Sequence, residues 1–192
     1  MQDDRTKKRM KYTVITQPPD SPIIFDQPGR YAVFFRNIAG DYTFVLRNPG
    51  VEVEIFGLFE GKDTMRYNLR TTQLHTAPNT TSNLLIKGVF EDASVFDYSG
   101  LIRIKCNCNG AHAYQKNQNL LLSSRASVRS EPNLEIMSND VFCTHGSTTG
   151  TLNPEHLLYL QTRGIAKEPG VELLKQGFIC DLLDRLPKSS PS

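Results

Sequence analysis

Disulfide-grade cysteine content is missing from this chain. Four cysteines in 192 residues are too few to staple a fold of this size, so they read as reduced thiols of a cytoplasmic protein. The first ten residues, MQDDRTKKRM, lack the apolar centre of a targeting signal and read as a flexible end. No apolar run approaches the ~18 residues of a membrane span. An excess of one charge is lacking too: a net +2 gives no reason to expect nucleic acid or a membrane surface as partner. The motifs G-x-x-x-x-G-K-[ST], G-x-S-x-G and H-E-x-x-H do not occur, which excludes a Walker-type ATP site, a hydrolase elbow and a zincin helix. Carboxylates are scattered. Glu91, Asp92 and Asp97 come nearest to a cluster, but neighbours such as Glu91 and Asp92 point to opposite faces of a strand. They are the basis of a rival reading, a β-helical binding or carbohydrate-active module.

What is present is a succession of short strand-like runs. Tyr12–Ile15, Tyr31–Phe35, Tyr42–Leu46 and Val51–Phe59 are rich in β-branched and aromatic residues. Turn pairs such as Pro28-Gly29 and Gly40-Asp41 separate them. The runs SNLLIKGVF, ASVFDYSGLIRIK, QNLLLSSRASVRS and PNLEIMSNDVF follow, with Leu84, Leu101, Leu120 and Leu134 spaced by 17, 19 and 14 residues. Regular strands and turns mean all-β. The loose repeat suggests solenoid coils, and no two-residue Asn-Gly or Asp-Gly turn joins two runs as a hairpin; composition alone leaves sandwich and solenoid about even.

The chain ends in helical patterning. Leu157, Leu160 and Ile165 mark a first helix, and Val171, Leu174, Phe178, Leu182 and Leu186 draw one apolar stripe on a second, after Glu168-Pro169. Part of that stripe is expected to cover the open end of the fold. The expected organisation is a flexible 1–10, a β core over 11–150, a helical segment over 151–186 and a disordered tail over 187–192.

The most informative stretch is Pro132–Gly164, PNLEIMSNDVFCTHGSTTGTLNPEHLLYLQTRG. Alternating apolar residues at Leu134, Ile136, Val141 and Cys143 read as strand. The chain is expected to turn through Gly146 and Gly150, and Asn153-Pro154-Glu155 then opens a helix that Gly164 stops. Cys143 and His145, two apart, put a thiol and an imidazole on one face. Such a pair can share a metal or cluster if that face is exposed; if it faces the core, Cys143 is a small hydrophobe. Cys106 and Cys108 are too few for a metal site and read as turn and packing residues. Cys180 reads as packing, and His75, His112 and His156 as structural or surface residues.

The run Asn139–Ile165 resembles the C-terminal signature of the SufB/SufD family, the scaffold proteins of SUF iron–sulfur cluster assembly. That signature is D-V-x-C-[ST]-H-[GE]-[AS]-T-x-G, followed by a helix with L/F-Y-L-x-[ST]-R-G-I. The resemblance implies a right-handed parallel β-helix and a non-catalytic scaffold. Gly146 after His145 matches the SufD branch, where SufB has glutamate. Asn117 stands where SufB-type members carry a sulfur-accepting cysteine, and an amide cannot carry a persulfide. His145 matches the histidine implicated in forming a transient cluster at the SufB–SufD interface, and Cys143 the cysteine beside it. The implied partners are a SufB-like subunit, or a second copy of this chain, and a SufC-type ATPase. Asp140, Val141, Thr144, Gly146 and Thr148 are the expected partner interface, with strand addition as the physical mode. Val171, Leu174, Phe178 and Leu182 are the expected ATPase-docking residues. Together these imply an imidazole carried outward to a seam that a second subunit completes.

Overall fold

The structure is a computed structural model and describes residues 10–188. Eleven strands and two helices follow one another: β1 (Lys11–Ile15), β2 (Ile23–Phe25), β3 (Gly29–Arg36), β4 (Gly40–Leu46), β5 (Val51–Gly61), β6 (Arg66–His75), β7 (Thr81–Phe90), β8 (Val95–Ile104), β9 (Ala111–Leu121), β10 (Ser127–Ile136), β11 (Val141–Thr151), α1 (Pro154–Thr162) and α2 (Lys167–Leu183). Odd-numbered strands form one sheet, β1-β3-β5-β7-β9-β11, and even-numbered strands the other, β10-β8-β6-β4-β2. All these pairings are parallel. A chain that alternates between two parallel sheets winds as a solenoid, so the expected parallel β-helix forms.

The repeat is longer than the leucine spacing suggests. Val141 lies beside Ala111, 30 residues back, and Arg66 beside Val95, 29 residues on. Leu84, Leu101, Leu120 and Leu134 fall on β7, β8, β9 and β10 in turn, so each spacing crosses from one sheet to the other and two of them make a coil. Several corners are made by residues in the left-handed conformation: Asn37, Asp63, Asn79, Asp92 and Asn107 have φ between 51° and 60°. Short polar side chains tolerate that region, which is how a corner turns without a hairpin.

The interior changes character along its axis. In the N-terminal coils it is an aromatic spine. Phe35 stacks on Tyr42 at 4.5 Å, Phe59 meets Phe96 at 4.9 Å, and Phe96 meets Phe90 at 5.1 Å. From β6 onward polar residues enter the lumen. Gln73, His75 and Ser82 are fully buried, and Gln115, Asn117 and Asn119 are nearly so. Asn119 donates to Asn117 Oδ1 at 2.6 Å, an amide pair that replaces ring packing.

Two sequence expectations are corrected by this geometry. β11 runs straight through Gly146 and Gly150 instead of turning there, because each of its residues pairs with β9 as far as Thr151. The apolar stripe of α2 does not cover the open end. Ile179 and Leu182 pack against Phe56, Leu58, Leu85, Val89 and Leu120 on the outer flank of the odd-numbered sheet. That flank is apolar just where the helix lies, so burial there decides the docking.

Two lysines fix the helix. Lys87 Nζ, buried, lies 2.6 Å from Asp181, donates to the Phe178 carbonyl at 2.9 Å and sits 4.3 Å from the Phe178 ring centroid. Hydrogen bonds from Lys87 and Arg185 hold the Asp181 carboxyl down to about 2. Lys175, also buried, reaches Glu91 at 2.6 Å.

The helix boundaries follow the sequence closely. Asn153 Oδ1 accepts from the Glu155 amide at 2.9 Å with Pro154 in the first turn, and Gly164 takes a φ of +83° after α1. α2 starts at Lys167, so Pro169 sits in its first turn rather than before it. No helix among the described residues is long and apolar enough to cross a membrane. The flexible ends expected over 1–10 and 187–192 fall for the most part outside the described residues; Met10 and Pro187, which are described, line a groove with Arg30, Glu54 and Arg185.

Candidate functional site

The last coil is where the chemistry-bearing residues gather. β10 and β11 are the terminal strands of their sheets, so each presents an edge that no strand of the described residues pairs. The register of β11 on β9 decides which of its side chains face inward. Ala111, Ala113, Gln115 and Asn117 on β9 are buried, and Val141, Cys143, His145 and Ser147 lie directly beside them. One inner column therefore reads Val33, Ile55, Leu84, Gln115, His145 through five successive strands.

The register fixes the face on which the imidazole stands. His145 belongs to the lumen face, yet it is exposed, because no further coil among the described residues covers it. Cys143, two residues earlier on the same face, is half-buried against Ile102, Ile104, Cys108, Ala111 and Ala113. Burial pushes its thiol above the usual range, against a smaller lowering by the Ala113 backbone. It is protonated at neutral pH, so binding a metal there must displace the proton.

The proposed interface residues divide by face. Val141 packs inward; Thr144, Gly146 and Thr148 alternate to the outer flank of the edge strand; the Asp140 carbonyl accepts from the Gly110 amide at 2.7 Å at the coil corner. Asn117 is in the lumen, its Oδ1 accepting from Asn119. Of the residues expected to dock an ATPase, Leu182 is fully buried against Phe56 and Leu85 and is unavailable to a partner. Phe178 lies beneath Lys87, and Val171 and Leu174 are half-buried. The apolar residues that this region leaves open are Leu158, Tyr159 and Leu173, at 61%, 58% and 52% exposure.

The remaining candidates are scattered. Cys108 is a buried packing residue and Cys106 is exposed at the same corner; Cys180, expected to pack, is exposed instead. His75 is buried between Thr80 and Ser82. The His112 ring lies 5.9 Å from Phe142 on the outer flank. Glu91 and Asp92 occupy a corner instead of a strand and are engaged by Lys175 and Arg125. No three His, Cys, Asp or Glu residues among those described are placed to hold a metal together, so a cluster at His145 needs ligands from elsewhere.

Residues that the sequence alone did not single out are Gln115 and Ser130. Their buried polar atoms lack a hydrogen-bond partner. Only the thirty-residue register reveals that Gln115 adjoins His145.

Comparison with known proteins agrees with this geometry. The family model described as "SUF system FeS cluster assembly, SufBD core domain" matches residues 36–178, which takes in β4 to β11, α1 and most of α2. An iron–sulfur cluster assembly SufBD family protein of Mycobacterium leprae is 30% identical over 146 residues, covering 72% of this chain and 37% of the relative. The iron–sulfur cluster assembly protein SufD of Escherichia coli is 31% identical over 117 residues, covering 61% of this chain and 28% of its own length. SufD of Bacillus subtilis is 30% identical over 127 residues, 66% of this chain and 29% of its own. The chain thus spans well under half the length of these relatives. With a matching core domain, a parallel solenoid and the Cys-Thr-His-Gly segment on its last strand, the chain belongs to the SufBD family of iron–sulfur cluster assembly proteins.

Proposed function

We propose that this chain is a cytoplasmic, non-catalytic scaffold subunit of a SUF-type complex, on which a transient iron–sulfur cluster is built and handed on as cargo. The observation that carries the reading is the exposed His145 ring at an unpaired solenoid end, with the Cys143 thiol one step along the same face. Neutral imidazole nitrogen is a good iron ligand, and a lone one leaves the other positions to a second subunit. Amino-acid type at Gly146 and Asn117 places the chain on the SufD side: Asn117 has no sulfur to carry, so sulfur must arrive through the partner.

The partner is a SufB-like subunit or a second copy of the chain. Among the described residues no strand pairs the outer edges of β10 and β11, and a partner strand added there would roof His145. Thr144, Gly146 and Thr148 would flank that joint. A SufC-type ATPase would dock on the helical segment through Leu158, Tyr159 and Leu173, with Val171 and Leu174 at the margin. Its ATP-driven dimerisation would act on the joint by favouring an open form.

The test is anaerobic reconstitution with a SufB-like subunit and a SufC-type ATPase, with cluster formation followed by its visible absorption. His145→Ala is expected to abolish cluster build-up while the complex still assembles. Normal cluster yield from that variant would overturn the site. In the same preparation, Leu158→Asp with Leu173→Asp is the check on ATPase docking: co-elution of the ATPase should be lost.

A further inference from the structure

Charge on the outer flanks of the solenoid is matched between neighbouring coils. Three arginines have a carboxylate directly beside them in register. Arg30 and Glu52 are 3.5 Å apart, Arg70 and Asp41 3.6 Å, and Arg103 grips Glu135 with hydrogen bonds of 2.5 and 3.0 Å. The buried Lys87 and Lys175 have carboxylates as well.

Lys116 breaks this pattern. It is half-buried on β9, and among the described residues it has neither an ion pair nor a hydrogen bond. Its register neighbours are Leu85 on β7 and Gly146 on β11, and neither offers a carboxylate. Lys116 borders the groove that Arg30, Glu54 and Arg185 also line. Glu54, the carboxylate of that groove, is held by Asn83 at 2.8 Å and feels Arg30 and Arg185 rather than Lys116. The outer side of Gly146 is open: a Cβ built there meets nothing within 4 Å.

A strand added to the edge of β11 would stand two strand spacings from β9, ~9.6 Å, with only a glycine between them on this row. The flexible four-carbon stem of lysine and an acidic side chain leaning toward it span that gap. Closing the joint strips water from the ammonium group, and an ammonium left unpaired there costs affinity.

We infer that Lys116 is the charged contact of the joint, and that the partner strand carries an aspartate or glutamate on its outer flank over Gly146. The inference rests on the edge pairing proposed above and adds the chemistry of the strand that fits. It also decides between the two partners, in favour of a different subunit. β11 holds no acidic residue. Antiparallel pairing of β11 with its own copy along the whole strand sets Gly146 against Gly146 and leaves both lysines unmatched. Sliding the copies until Asp140 stands over Gly146 pairs only 141–145 and forfeits the rest of the ladder. Glu131 and Glu135 on β10 are already engaged by Arg129 and Arg103.

The test is the affinity of the full chain for the SufB-like subunit, measured by sedimentation at low and at high salt. The affinity of the parent is expected to fall as salt rises. Lys116→Met keeps the stem and drops the charge; it should bind roughly tenfold more weakly at low salt, the lower end for a hydrogen bond to a charged group, and with a shallower salt dependence. Lys116→Arg should bind as the parent does. In the parent complex, carbodiimide coupling should join the Lys116 amine to an aspartate or glutamate of the SufB-like subunit, located by peptide mass spectrometry. A folded Lys116→Met chain with parental affinity and salt dependence would overturn the inference. Coupling that never involves Lys116 would do the same, and it decides even where the variant does not fold. A Lys116 cross-link to a second copy of the chain overturns the choice of partner. A parent that does not bind the SufB-like subunit at all removes the edge pairing and the inference together, whereas a tight complex indifferent to Lys116→Met removes the charged contact alone.

Discussion

Truncating Phe96 to alanine is expected to lower the stability of the chain by about 3–5 kcal/mol, the range for a phenylalanine removed from a close-packed interior. Phe96 is fully buried and central to the spine. Its ring lies 4.9 Å from Phe59, 5.1 Å from Phe90 and 6.1 Å from Tyr98, so the deletion removes packing from three rings at once. The surrounding backbone is tied into parallel ladders on both sides of β8 and cannot collapse into the space, which puts the cost high in the range. Urea denaturation measures it: the midpoint should fall with the slope unchanged. A loss below about 1 kcal/mol, the cost of an easily relaxed site, would mean that the spine is not the stabilising core. The corresponding deletion at the terminal coil, Leu134→Ala, should cost far less, because Leu134 is 38% exposed.

That contrast explains how much of the molecule is legible in sequence. Strands carrying the spine announce themselves: β3, β4 and β5 are dense in aromatic and β-branched residues, and their limits fall close to those of the structure. β6 does not. Tyr67 and Leu69 alternate with Arg66, Asn68 and Arg70, but the inner residues that follow, Thr71, Gln73 and His75, are polar, so the apolar alternation stops after two steps. Only neighbours on both sides hold it as strand. The short β2 is silent for a related reason: three residues are too few to show a period. At the site, the Cys143–His145 pair and its shared face follow from spacing alone. Whether that face is inner or outer does not, since both faces of a β-helix strand are partly apolar. The direction depends on pairing with a strand thirty residues away, which local pattern cannot reach. The same holds for Gln115, whose place beside His145 is entirely a matter of register.

The polar lumen also predicts a pH dependence. His75 is completely buried with Nδ1 at 2.7 Å from Thr80 Oγ1 and Nε2 at 2.8 Å from Ser82 Oγ. Burial lowers its pKa from 6.5 to about 4. A histidine held neutral in the fold but free to charge when unfolded makes the unfolded chain bind more protons between those values. Stability is therefore full above pH 6.5 and falls as the pH drops toward 4, by about 3 kcal/mol in total for this one group. Asp181, held down by Lys87 and Arg185, acts in the same sense but below its ordinary value of 3.8, outside that window. Glu54 opposes it, since burial raises its carboxyl and favours the protonated fold. The difference between the stability profiles of the parent and His75→Gln isolates the histidine, because the glutamine keeps a donor and an acceptor and does not titrate. The parent should lose about 3 kcal/mol more than the variant between pH 6.5 and 4; parallel profiles would rule His75 out. Ser82 shares its inner column with Ala113 and Cys143. Charging His75 thus loosens the lumen two strands beneath the Cys143 thiol, and the terminal coil should lose amide-exchange protection in the same pH window before the aromatic spine does.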